Sequence, residues 1–100
     1  MKIIVVGCGR VGKQLAEVLD TPENQVTVID IDAAALARLS SEFQGTRVVG
    51  HGYDESVLEQ AGIRDCDAFA AVTSMDNVNL MASEVARRLY SVPHVLTRLI

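Results

Sequence analysis

Gly7-Cys8-Gly9-Arg10-Val11-Gly12 follows directly on an apolar run, Ile3-Ile4-Val5-Val6, and leads directly into a helical pattern. A second apolar run, Val26-Thr27-Val28-Ile29, ends in Asp30. The order is strand, Gly-x-Gly-x-x-Gly, helix, strand, acid. That order confines the chain to a βαβ crossover between parallel strands, and it is the dinucleotide fingerprint in its structural context. Gly7 permits a tight turn out of the strand. Gly9 lets backbone approach a pyrophosphate, and Gly12 lets the helix pack closely on the sheet. A helix starting near Arg10 offers unpaired N–H groups and a positive dipole end, and both favour phosphate. Asp30 is placed to accept hydrogen bonds from the two ribose hydroxyls of an adenosine, and a carboxylate there repels a 2′-phosphate. Asp32 is the competing carboxylate, with an alternative role as N-cap of the following helix. The competing reading of the glycines is an ordinary strand–helix turn.

The rest of the chain repeats the strand–helix alternation. Strands are expected near 2–7, 26–30, 46–49, 67–72 and 94–99, and helices near 11–20, 33–43, 55–61 and 76–90. Val11, Leu15, Val18 and Leu19 give the first helix an apolar face at helical spacing, and Leu36, Leu39 and Phe43 do so for the second. Asp54 reads as the N-cap of the short third helix and Gly62 as the residue just past its end. Thr73-Ser74-Met75-Asp76 matches the S/T-x-x-D/E helix-start signature. The fourth helix is expected to bury Val78, Met81, Val85 and Leu89. Near-continuous apolar strands alternating with helices argue for an α/β fold, a Rossmann-like doubly wound parallel sheet. The fingerprint and right-handed crossovers give strand order 3-2-1-4-5. The usual sixth strand is missing after Val95-Leu96-Thr97-Arg98-Leu99-Ile100. The 100 residues therefore read as one dinucleotide-binding domain, 1–100, belonging to a longer chain or covered at its edge by a partner.

Bulk properties exclude several classes. Apolar residues make up 49 %, too many for a disordered chain. No apolar run is long enough to span a bilayer, and Met1-Lys2 followed at once by a strand is no signal peptide. These features point to a cytoplasmic protein. The net charge is −4 and the basic residues are scattered, without the basic stripe or stacking aromatics of a nucleic-acid binder. Cys8 and Cys66 stand far apart and make no metal-binding spacing. Cys8 lies near a helix N-terminus, where a thiol can be acidified, although a small filler in the glycine loop is the simpler reading.

Several segments together resemble one family. They are residues 1–12 and 26–32; Val48-Val49-Gly50-His51-Gly52 with Val57-Leu58-Glu59-Gln60-Ala61-Gly62-Ile63; Asp67 through Thr73 with Asp76 through Met81; and Val92 through Arg98. In this order they are similar to the nucleotide-binding domain that regulates potassium conductance (RCK, also called KTN or TrkA-N). Within it they resemble the branch found in regulatory subunits of Trk-type bacterial potassium uptake. The resemblance covers essentially the whole chain. It implies binding of NAD(H) or of ATP/ADP, no catalysis, a homodimer or higher ring, and a membrane potassium channel or transporter subunit as partner. The protein would then be held peripherally at the inner membrane through a pore subunit. By motif, Gly7, Gly9, Arg10, Val11 and Gly12 line the phosphates and Asp30 takes the ribose. Gly50, His51 and Gly52 border the adenine, and Thr73 borders the ligand from the fourth strand. Arg98 is a candidate for a phosphate or subunit contact. Many members carry Gly-Asp-Ala at Gly50-His51-Gly52. His51 accepts a hydrogen bond from the adenine amino group only when neutral, and it can stack instead. Arg10 suits a terminal phosphate or a reach across a dimer, which tilts the reading towards ATP/ADP.

The main alternative is the NAD-binding domain of a truncated NAD-dependent dehydrogenase. That enzyme needs an acid–base group beside the nicotinamide. Only His51 and His94 are offered, and they form no catalytic constellation. A metabolite-binding module unrelated to ion transport is the third reading.

Overall fold

The computed structural model describes all residues, 1–100. Its elements in chain order are β1 (Lys2–Val6), α1 (Arg10–Leu19), β2 (Gln25–Asp30), α2 (Ala33–Ala37), β3 (Thr46–Val49), α3 (Glu55–Gln60), a 3-10 turn (Ile63–Asp65), β4 (Ala68–Ala71), α4 (Asp76–Tyr90) and β5 (His94–Thr97). All neighbouring strands pair in parallel, and the sheet order is β3-β2-β1-β4-β5. The expected fold class and strand order are thus both present.

Successive residues of a strand face opposite ways, so each central strand supplies two cores. Ile3 and Val5 of β1 join Val26, Val28, Ala16, Ala35, Leu36, Leu39 and Phe43 on the face covered by α1 and α2. Ile4 and Val6 join Ile29, Val48, Phe69, Leu58, Ala82 and Ala86 on the face covered by α3 and α4.

Four local expectations need correction. The second helix ends at Ala37 rather than 43. The Ser40 amide donates to the Glu17 carboxylate on α1 (2.8 Å), and the Glu42 amide to Ser40 Oγ (3.2 Å), so the backbone is drawn out of the helix by side-chain acceptors. Leu39 and Phe43 are buried all the same. The first helix buries Gly12 and Ala16, while Val11 and Val18 lie on the exposed side. The fourth helix buries Asn79, Ala82, Ser83 and Ala86, and leaves Met81 and Leu89 exposed. In both helices small residues face the sheet and let the helix approach closely. Finally, Met75, not Thr73, is the N-cap of α4, and no side chain caps it. The Thr73 hydroxyl instead accepts from the Met75 amide at 3.1 Å, a local turn outside the helix.

Candidate functional site

In a doubly wound sheet the crevice opens beyond the carboxyl ends of the strands, where helices leave in opposite directions. Here that point lies between β1 and β4. Gly7 follows β1 with φ +105°, a conformation that side chains disfavour, and its amide donates to the Ile29 carbonyl at 2.8 Å. A Cβ on Gly7 would lie 2.9 Å from the Thr73 amide nitrogen, so the loops after β1 and β4 touch directly. A Cβ on Gly12 would lie 1.7 Å from the Gly7 carbonyl oxygen, so α1 is seated on its own entry loop. These two glycines are demanded by the fold.

Gly9 is different. Its backbone is ordinary extended chain, and a Cβ there would meet no atom within 4 Å. Nothing in the protein requires a glycine at this point; the space above it is open. Beside that space the amides of Gly9, Arg10, Val11 and Gly12 donate to no acceptor within the protein, the first bonded amide of the helix being Lys13 to the Gly9 carbonyl. Two of the other three sheet-packed helices begin with a capping side chain, while α4, like α1, has none but carries Asp76 in its first turn. Asp32 caps α2 by accepting from the Ala34 amide (2.9 Å), and Asp54 caps α3 by accepting from the Ser56 amide (2.9 Å). Helix α1 has neither a capping side chain nor an acidic residue in its first turn. Arg10 is exposed and forms no ion pair, so the one side chain at this terminus that carries charge is a free cation. An anion is what such a terminus accepts.

Asp30 stands next to it, at the end of β2. One carboxylate oxygen accepts from the Cys8 amide (2.7 Å) and the other from the Asp32 amide (2.8 Å). The two bonds fix the plane of the carboxylate and tie it to the glycine loop. Each oxygen keeps a second lone pair for a hydroxyl donor. Asp32 caps α2 through one carboxylate oxygen, Oδ1. Cys8 is buried beneath the loop with its thiol donating to the Ala35 carbonyl at 3.4 Å, and burial, with the Asp30 carboxylate adding to it, pushes the thiol above its ordinary range. The filler reading of Cys8 therefore holds over the acidified one.

Of the Gly50-His51-Gly52 segment, the two glycines serve packing. A Cβ on Gly50 would strike Val57, and one on Gly52 would strike Val6 at 2.2 Å. The Gly50 amide donates to the Asp30 carbonyl, which sets this loop beside the Asp30 carboxylate. His51 is exposed and stacks on Tyr53, with ring centroids 5.0 Å apart. On the other side of the crevice, the Arg98 guanidinium donates to the Thr73 carbonyl at 3.3 Å. The structure thus gathers Gly7, Gly9, Arg10, Val11 and Gly12 with Asp30 and the 50–52 loop on one flank, and Thr73 with Arg98 on the other.

One participant gave no sign in the sequence reading. Asn79, in the second turn of α4, is fully buried and bonded to both Thr73 and Arg98. A polar residue within a helix pattern passes for a solvated one. Its only sequence signal is its place on the same helical face as Ala82 and Ala86. Two depressions of the surface, about 460 and 210 Å³, are lined by Asp20, Pro22, Gln25 and Gln44–Thr46 and by Lys2, Gln60 and Cys66. Both lie at the amino ends of the strands, away from the helix termini that give the crevice its polarity. No group of three or more His, Cys, Asp or Glu side chains is arranged to hold a metal ion. No helix is long and apolar enough to cross a membrane.

Comparison with known proteins follows the same lines. The family model for the TrkA-N domain matches residues 3–100. The Trk system potassium uptake protein TrkA of Streptomyces coelicolor is 46 % identical over 99 residues, covering 99 % of this chain and 44 % of its own length. The protein of the same name from Halomonas elongata is 44 % identical over 98 residues, covering 98 % of this chain and 21 % of its own. The chain thus spans less than half the length of these curated relatives. Among solved structures, the Kef C-terminal domain of Shewanella denitrificans in an AMP-bound form superposes with a TM-score of 0.77 at 18 % identity, over 95 % of this chain and 57 % of that one. A Rossmann-fold NAD(P)-binding family protein from Shigella flexneri gives 0.73 at 14 % identity, over 94 % of this chain and 49 % of that one. At these identities the two structures speak to the fold.

Proposed function

This chain belongs to the TrkA-N domain family, and from that premise we propose that it is a regulatory nucleotide-binding domain controlling a Trk-type potassium transporter. The observation that carries the nucleotide reading is the open, uncapped start of α1 at Gly9, with four unpartnered amides beside a pinned carboxylate. Gly9, Arg10, Val11 and Gly12 would hold the phosphates, and Asp30 the adenosine ribose. His51 and its neighbours would border the adenine, and Thr73 and Arg98 would close the far flank. The ligand is NAD(H) or ATP/ADP. It supplies phosphate charge and a ribose diol, and the chain's residues bind and orient these without chemistry.

Regulation needs only that two packings of an assembled protein bind the ligand with different affinity. A ligand at a hundredfold excess over its Kd shifts such an equilibrium by up to about 2.7 kcal/mol, enough to change which packing dominates. The assembly is a homodimer or ring docked in the cytoplasm on a membrane pore subunit. The absence of any convergent acid–base pair around the crevice favours this over a truncated NAD-dependent dehydrogenase.

A thermal-shift panel of NAD⁺, NADH, NADP⁺, ATP, ADP and AMP tests the reading. NAD(H) or ATP/ADP should raise the melting temperature clearly and NADP⁺ much less, because Asp30 repels the 2′-phosphate. Asp30→Ala should abolish the response to the ribose-containing ligands that bind. A panel with no response to any adenylate, or an Asp30→Ala variant that responds like the wild type, overturns it.

A further inference from the structure

We propose that Asn79 is the positioning residue of the ligand site, a single side-chain amide that sets the far flank of the crevice. The inference rests on the nucleotide reading above and extends it to a residue which that reading leaves unused. Asn79 is 0 % exposed, and Ser83 is the other fully enclosed polar side chain of the core. Its Oδ1 accepts from the Thr73 amide (2.9 Å) and from the Thr73 hydroxyl (2.7 Å). Its Nδ2 donates to the Thr73 carbonyl (3.0 Å) and to the Arg98 carbonyl (2.9 Å). The orientation of the amide is therefore determined, since two donors face one end and two acceptors face the other.

These four bonds do more than satisfy a buried group. They fix Thr73 by its amide, hydroxyl and carbonyl at once. Thr73 in turn abuts Gly7, where even a methyl group would not fit, so the location of Thr73 defines the wall of the glycine loop. The same Thr73 carbonyl receives the Arg98 guanidinium at 3.3 Å, and the Arg98 main chain is held by Asn79 and by its amide bond to the Ala71 carbonyl. The aim of the Arg98 guanidinium is thus set through Asn79. A buried side chain whose only role is packing would not need bonds to both strand ends that flank an anion site. Ser83, one turn further along the same face, accepts a hydrogen bond from the Thr97 hydroxyl (2.6 Å), and its side chain bonds to neither Thr73 nor Arg98. It is the natural control.

The test compares Asn79→Leu, Asn79→Ser and Ser83→Ala with the wild type by calorimetric titration with ADP, NADH and adenosine, alongside thermal melts. Neutral replacements are used so that no new charge repels phosphate. Losing the placement of one charge-assisted contact should weaken ADP and NADH by about tenfold, with adenosine changed by less than about twofold. Ser83→Ala should lower the melting temperature and leave all three affinities unchanged. If Asn79→Leu does not fold, Asn79→Ser, which keeps a hydroxyl, carries the comparison with a smaller loss of the same pattern. Wild-type ADP affinity in a folded Asn79 variant overturns the inference, as does an equal loss for adenosine and ADP. A wild type that binds none of the three overturns the nucleotide reading itself, and the inference with it.

Discussion

Gly9 and Gly12 occupy the same loop, three residues apart, and the structure assigns them opposite reasons for being glycine. Replacing each by alanine separates those reasons. At Gly9 the new methyl meets nothing within 4 Å. Alanine restricts the unfolded chain, a gain of about 0.4–1 kcal/mol. It is a poorer N-cap than glycine by a similar amount, about 0.5–1 kcal/mol. The two effects offset, and the melting temperature of Gly9→Ala should stay within about 4 °C of the wild type. At Gly12 the methyl would sit 1.7 Å from the Gly7 carbonyl oxygen and 2.7 Å from its carbon, both backbone atoms. Relief requires α1 to lift from its loop, an overpacking cost at or above the upper end of about 1–3 kcal/mol, or a drop of more than about 10 °C. Binding should order the variants differently. The Gly9 methyl stands over the unpartnered amides and keeps a diphosphate from closing to bonding distance. Two lost charge-assisted hydrogen bonds at about 1.5 kcal/mol or more each amount to roughly a hundredfold in Kd. Scanning fluorimetry and titration calorimetry with ADP and NADH read the two quantities. A Gly9→Ala protein that binds within twofold of the wild type, or that melts as early as Gly12→Ala, refutes the argument that this glycine is kept for a ligand.

Arg10→Ala removes an exposed side chain without an ion pair, so its stability should change by less than about 0.5 kcal/mol. Its ATP affinity should fall by more than its AMP affinity; equal losses in competition titrations would remove the terminal-phosphate role. Glu59 is held by Arg64 through two contacts (2.6 and 2.8 Å) and by the Tyr90 hydroxyl at 3.0 Å, and these hold its carboxyl below the usual range, with the Arg64 hydrogen bond the largest cause. A carboxyl depressed in the folded state stabilises fully above its unfolded value, near about 4.3, and loses that contribution as pH falls through the folded value. Glu59→Gln should therefore lower the urea midpoint at pH 7 and converge with the wild type in strong acid. A constant gap at every pH would show that the cluster acts without its charge.

Much of this architecture was legible in the residues. Continuous β-branched runs, glycines at fixed offsets and an acid closing β2 specify the crossover order, and β3 and α4 fall on the expected residues. The misjudged faces of α1 and α4 share one physical source. Periodicity weighs large apolar side chains, but a helix lies close on a sheet by presenting small ones. Gly12 and Ala16 of α1, and Ala82, Ser83 and Ala86 of α4, occupy the contact faces, which rotates Val18, Met81 and Leu89 outward. The early end of α2 was illegible because its cause, Glu17, lies on another helix. Asn79 was missed for the same kind of reason: its four partners are brought to it only by the fold. The division of the loop's glycines was legible too, because the motif assigns Gly7 and Gly12 to turn and packing and Gly9 to open space, and a Cβ would clash at the first two and meet nothing at the third.

The thiol under that loop has a practical consequence. Both cysteines are free and shielded from solvent, and burial makes each a weak acid. A folded molecule therefore offers an alkylating reagent almost no thiolate to attack. Modification of Cys8 must wait until the segment above it lifts away, so its labelling rate counts those openings. Any compound that settles on the loop and holds it shut would slow that clock, with no dye or tag needed to see it.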